Sequence, residues 1–113
     1  MINKRELRIG NLVKVNYIFQ VKEIKQDGIN SIWGDYQYSY TALQPIPLTE
    51  EILNKTNLRA DIKKDYYEYG NFFLERASNS WYCEHIEVTS LHQLQNIYFA
   101  LSGEELDVSQ ILK

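Results

Sequence analysis

Cysteine is nearly absent from this chain: Cys83 is the single one in 113 residues. One thiol closes no internal disulfide and brings no second thiolate to a structural zinc site. Cys83 therefore reads as a small, half-buried strand residue. Histidine is scarce too, with only His85 and His92, and neither belongs to a metal-binding spacing such as a pair one helical turn apart. The five glycines, at 10, 28, 34, 70 and 103, stand alone, which excludes a glycine-rich phosphate loop. No apolar run approaches the ~20 residues that span a bilayer. The opening "MINKRELRIGNLVKV" lacks the apolar centre and cleavage site of a secretory signal. These absences predict a cytoplasmic protein with no metal or other cofactor.

What is present fits one ordinary domain, residues 1–113. Hydrophobic residues make up 44% and charged residues 24%, near a globular average, so the chain should fold. The net charge of −3 argues against a sequence-independent nucleic-acid binder, which needs a basic surface to displace counterions. Lys4, Arg5, Arg8 and Lys14 nevertheless form a basic patch near the N-terminus. Lys22 with Lys25, and Lys63 with Lys64, are smaller groups, and all three groups, the N-terminal patch included, read first as solvated faces that serve solubility. Tyrosine is plentiful, nine against four phenylalanines.

From residue 7 to 47 the pattern is one of short strands. In "NLVKVN" Val13 and Val15 share a face opposite Lys14, the alternation of a half-buried strand. "FQVKEIK" repeats it through Phe19 and Val21 and slips phase at Ile24, as a bulge or strand end would explain. Asp27-Gly28 is a favoured two-residue hairpin turn whose central positions take positive φ. It joins a strand at about 19–26 to one at about 29–33. After a break at Gly34-Asp35, "YQYSY" sets Tyr36, Tyr38 and Tyr40 on one face. "LQPIPL" is extended, an edge or connector, because each proline restricts its predecessor and lacks a ladder donor.

Thr49 is a good N-cap, with Glu50 and Glu51 at the positive end of the helix dipole and Leu48 placed to staple onto Leu53. That helix should end after about two turns, between Asn54 and Asn57. Residues 58–65 are ambiguous. "YYEYGNFFLERA" and "SWYCEHIEV" read as two strands joined at residues 78–80. A second helix starts at Ser90, with Gln93 completing a capping box, and ends at Gly103. Leu91, Leu94, Ile97, Tyr98 and Leu101 form its apolar stripe. His92, Gln95 and Asn96 fall off that stripe and are expected to project elsewhere.

Candidate chemistry is sparse. Cys83 and His85, two apart on a predicted strand, share a face and could meet, although their side chains stand about 7 Å apart at that strand spacing, and same-face neighbours of this kind arise constantly by chance. No catalytic residue is assigned, and the chain reads as a non-enzyme. Glu50 and Glu51 are explained by the helix start. Glu104 and Glu105 follow a helix C-terminus, where negative charge is unfavourable, and so become candidates for an interaction surface. The phenolic face of Tyr36, Tyr38 and Tyr40 admits two readings: an amphipathic lining with hydroxyls at the rim, or a binding face. Such a face could also stack unpaired bases beside lysines. His92 and Gln95, on the non-stripe side of the last helix, complete the candidate binding residues.

Three blocks, "ELRIGNLV", "LQPIPLTEEIL" and "HQLQNIYFALSGEEL", cover about a third of the chain. In that order they resemble a family of short proteins from prophages and mobile elements of Bacteroidetes, the last block being the most specific. The resemblance implies a phage-associated protein of the host cytoplasm. Small acidic phage proteins without enzymatic motifs often resemble anti-defence factors, including anti-CRISPR proteins. The implied partner is a host CRISPR effector nuclease or its guide RNA, type VI being favoured, with no membrane association. The alternatives are a single-stranded RNA or DNA binding module, or a virion assembly protein. The expected fold is α+β: a small antiparallel sheet or partly open barrel, a short middle helix, a second hairpin, and a C-terminal helix packed on the sheet.

Overall fold

The short alternating segments of the first half pair in chain order. A computed structural model describes residues 2–32, 34, 36–61 and 65–112. Trp33, Asp35 and the Lys63-Lys64 pair lie outside the described residues. After a 3-10 turn at Lys4–Glu6, strands β1 (Leu12–Lys14), β2 (Ile18–Ile24), β3 (Gly28–Ser31) and β4 (Gln37–Ser39) form an antiparallel four-stranded meander. Phe19 and Val21 are fully buried against Val13, Ile29 and Leu43. The phase slip in β2 is a bulge: Val21 lies opposite Ser31 but Glu23 opposite Asn30, so β2 carries one extra residue there.

The hairpin at Asp27-Gly28 forms, but by different turn chemistry from that expected. Lys25–Asp27 make the connection, closed by the Lys25 amide donating to the Gly28 carbonyl at 2.8 Å, and Gly28 is the first residue of β3. Neither residue has positive φ. Glycine is needed there for close approach, since a Cβ on Gly28 would collide with the Tyr38 backbone carbonyl of β4.

"LQPIPL" is a connector. Lys14 and Gln44 exchange backbone hydrogen bonds at 3.1 and 2.8 Å, and the Leu91 amide donates to the Ile46 carbonyl at 2.8 Å. Helix α1 (Glu50–Leu53) is capped as its sequence implies, the Thr49 hydroxyl accepting from the Ile52 amide at 3.2 Å. Leu48 and Leu53 are buried together.

The second half contains five strands where its pattern implies two. "YYEYGNFFLERA" and "SWYCEHIEV", each read as one strand, are each a hairpin. Strands β5 (Arg59–Ala60), β6 (Tyr66–Tyr69), β7 (Phe72–Ala77), β8 (Ser80–Cys83) and β9 (Ile86–Val88) form a five-stranded antiparallel meander. The turn at Ser78-Asn79, with φ of 51° and 67°, falls where loop residues cluster. The turn at Glu84-His85 takes the same left-handed pair, 49° and 73°, without the glycine or asparagine that usually marks one. His85 is thus an exposed turn residue and Cys83 a buried one at the end of β8, so they do not share a strand face.

Helix α2 (Leu91–Ser102) packs on this sheet through Leu91, Leu94 and Tyr98, against Tyr67, Leu74, Trp81 and Val88. The rings of Phe72 and Tyr98 meet edge to face at 5.0 Å between centroids. Leu101, assigned to the apolar stripe, is instead 55% exposed. Gly103, at φ 76°, ends the helix as expected, its amide donating to the Phe99 carbonyl at 2.8 Å. The capping box at Ser90 does not form; the Gln93 carboxamide reaches one residue further back and accepts from the Thr89 amide at 3.0 Å. The architecture is α+β with two antiparallel sheets and no closed barrel. Among the described residues, no helix is long and apolar enough to cross a membrane.

The contact at Gly28 is testable. Gly28→Ala should lower stability by about 1–3 kcal/mol through overpacking against β4, read as a lower urea midpoint at unchanged slope. Gly34→Ala, where a Cβ meets open space, should stay within about 0.5 kcal/mol.

Candidate interaction surfaces

The non-stripe face of α2 does not look at water. His92 and Gln95 are each 2% exposed and lie against the N-terminal sheet and the turn before it. The Gln95 Oε1 accepts from the Leu12 amide at 2.7 Å, and its Nε2 donates to the Gly10 carbonyl at 3.1 Å. Asn96 accepts from the Asn11 side chain at 2.9 Å and donates to the Glu6 carbonyl at 2.7 Å. The expectation that these residues project away from the core is corrected: they join α2 to the first sheet, and His92 and Gln95 offer almost no surface to a partner.

His92 Nε2 lies 3.3 Å from a Glu6 carboxylate oxygen, while the buried Nδ1 has no hydrogen-bond partner among the described residues. That asymmetry selects the neutral tautomer with its proton on Nε2, because an unpaired acceptor costs less than a buried, unpaired N–H of an imidazolium. Burial accordingly pushes the His92 pKa below its usual value, outweighing the Glu6 carboxylate, which pulls it upward.

Of the basic patch, Arg8 alone is ion-paired among the described residues. Arg8 forms a two-pronged ion pair with Glu105, both N···O distances being 3.1 Å, and its guanidinium lies 4.3 Å over the Phe99 ring. Glu105, without a local reason in the sequence, thus has a tertiary one. Lys4 and Arg5 are exposed in the 3-10 turn, and Lys14 is half-buried on β1. The Glu104 side chain has no partner among the described residues; its backbone bonds to the Ser102 hydroxyl.

The three tyrosines divide. Tyr38 stacks on buried Phe19 at 4.8 Å and shares a hydroxyl contact with Tyr17. That hydroxyl bond, followed by burial, raises its pKa. Tyr40 packs on the same core and donates to the Lys25 carbonyl. Tyr36 alone is largely exposed, at 71%, its ring set edge-on to Tyr38. The lining reading therefore describes Tyr38 and Tyr40, and Tyr36 is the rim.

The sequence reading missed the outer face of the second sheet. Cross-strand register sets Tyr66 opposite Glu75, Glu75 opposite Tyr82, and Tyr82 opposite Glu87, so aromatic and carboxylate residues alternate across four strands. The next row pairs Glu68 with Phe73 and Arg59. Phe73 is 48% exposed. The signal was present in "YYEYGNFFLERA", but could be used only once the turn at Gly70-Asn71 had split that segment into two strands. At one end the face runs into a hollow of about 480 Å³ lined by Phe73, Glu75, Tyr82, Glu84, His85 and Leu101 among others. Burial raises the Cys83 thiol pKa there, so the residue is no ready thiolate. Among the described residues, no group of three or more His, Cys, Asp or Glu side chains is placed to hold a metal ion.

No protein-family model, no curated protein and no solved structure matches this chain.

The buried histidine sets a pH dependence. With its folded pKa depressed below the unfolded value, His92 binds more protons in the unfolded state, so stability rises with pH and falls as acid drops below about 6.5. Urea midpoints measured from about pH 7.5 to 5.5 should decline for the native chain, and His92→Asn should flatten that decline.

Proposed function

We propose that the chain is a non-enzymatic binding protein of a phage or mobile element that inhibits a host defence complex by occlusion. The target is an RNA-guided CRISPR nuclease, type VI in particular, or its guide RNA. The observation carrying the binding part is the row Tyr66, Glu75, Tyr82 and Glu87 on a sheet face opposite the one that packs on α2. Tyrosine supplies contact area at low entropic cost, and carboxylates supply complementarity to a basic channel built for RNA. The defence context comes from the resemblance of the three sequence blocks. Direct base stacking draws less support, because Tyr38 and Tyr40 are engaged in the protein core and only Tyr36 of the three offers a largely exposed ring.

The test is phage plating on isogenic hosts with and without the defence system, the chain being expressed in trans. Plating should recover only where the system is present, and Tyr82→Ala with Glu87→Lys should abolish that recovery. Equal plating on both hosts rejects the reading.

A further inference from the structure

Resting on that reading, we infer that the partner engages this chain through an extended, cationic and amphipathic protein segment, held in a groove between the β6–β7 and β8–β9 turns and the end of α2. Two hollows, of about 480 and 300 Å³, meet there over shared walls at Asn71, Phe72 and Leu101. Their apolar lining includes Phe72, Phe73, Tyr82 and Leu101, and the last of these, at 55% exposure, is left over from the helix's packing stripe. Three carboxylates line the pair of hollows: Glu75 and Glu84 in the first, Glu104 in the second. No lysine or arginine is among the lining residues, and none of the three carboxylates has an ion-pair partner among the described residues, whose salt bridges use Glu105, Glu51, Glu50 and Glu6.

The helix adds to the negative field. Twelve-residue α2 ends at this groove, its last turn holds no basic side chain, and Glu104 follows it. The carbonyl end of a helix attracts cations, and here the chain supplies none at the last turn. Nucleic acid is repelled by such a lining, and an uncharged apolar ligand leaves the carboxylates unanswered. Arginine or lysine side chains alternating with apolar ones answer both features, with the guanidinium also able to lie on the Tyr82 or Phe73 ring.

The probe is a fluorescein-labelled ten-residue peptide alternating arginine and leucine, titrated against the full chain by fluorescence anisotropy. A glutamate-for-arginine peptide and a ten-nucleotide thymidine strand serve as comparisons. The arginine peptide should bind at least about tenfold more tightly than either, and Glu75→Gln with Glu104→Gln should cost about tenfold, the effect of two charge-assisted contacts. Leu101→Ser, at an exposed position that should not disturb folding, should weaken it as well. Asp27→Asn with Glu51→Gln removes the same charge at other exposed positions and should leave affinity unchanged. An equal loss in that pair, or no loss in the groove variants, overturns the inference. In the plating assay, full protection by the Glu75→Gln, Glu104→Gln chain also overturns it while leaving the defence reading intact. Failure of the native chain to protect, with peptide binding retained, removes the defence reading alone.

Discussion

The carboxamide of Gln95 holds the two halves of this protein together. Its oxygen takes the Leu12 amide at 2.7 Å and its nitrogen gives to the Gly10 carbonyl at 3.1 Å, so one side chain satisfies both a donor and an acceptor of backbone at the edge of the first sheet. The Leu12 amide, left buried and unpaired, would cost about 1–3 kcal/mol, whereas the Gly10 carbonyl also accepts from the Gln20 side chain at 3.0 Å. Helix α2 is consequently a wall shared by two cores: its apolar side closes the second sheet, and its polar side closes the first. Strand β1 is shared in the same way. Leu12 belongs to the core under α2, while Val13, pointing the other way, belongs to the core of the four-stranded sheet.

That arrangement explains what was legible. Local devices were readable because they depend on a few neighbouring residues: the alternation in β2 and its bulge, the Thr49 cap, the Gly103 terminator. The burial of His92 and Gln95 was not, because helical periodicity says which face meets the apolar core and leaves open what meets the other. A clue was available. Between Leu91 and Ser102 there is no Asp, Glu, Lys or Arg. A helix face turned to water usually carries charge, whereas uncharged amides suit a face that must pair with backbone. The Gly70-Asn71 turn also had its residue-type signal, overridden by the run of aromatics on either side. The Glu84-His85 turn had none, so a strand continuing through Cys83 and His85 was the natural misreading.

The abundance of tyrosine acquires a structural reason from the same economy of polar contacts. Tyr67 is fully buried, yet its hydroxyl donates to Asn54 at 2.9 Å, at the end of α1. Tyr98 accepts from Asn57 at 3.2 Å, and Asn57 in turn accepts from the Asp107 amide at 3.1 Å. Tyr40 reaches the Lys25 carbonyl across the first sheet. Phenylalanine at these places would fill the space equally well but leave loop donors and acceptors unanswered. Three of the nine phenols, Tyr40, Tyr67 and Tyr98, thus tie loop groups to the cores, and with Tyr38 stacked on Phe19 only Tyr36 of the Tyr36, Tyr38 and Tyr40 set is left as a largely exposed ring.

Two adjacent glutamates show how tertiary pairing separates structural charge from available charge. Glu104 and Glu105 are equivalent in sequence, both placed where the negative end of α2 disfavours them. Arg8 arrives from the N-terminal sheet side, pairs with Glu105 through both nitrogens and lies over Phe99, so that charge is neutralised within the fold. Glu104 lines the hollow beside Leu101 with no such partner among the described residues. A lysine there would be more favourable, since a cation pairs well with the helix end. The Glu104 carboxylate, together with Glu75 and Glu84 around the same apolar floor, instead adds to the negative end of the helix dipole and leaves a negative potential there.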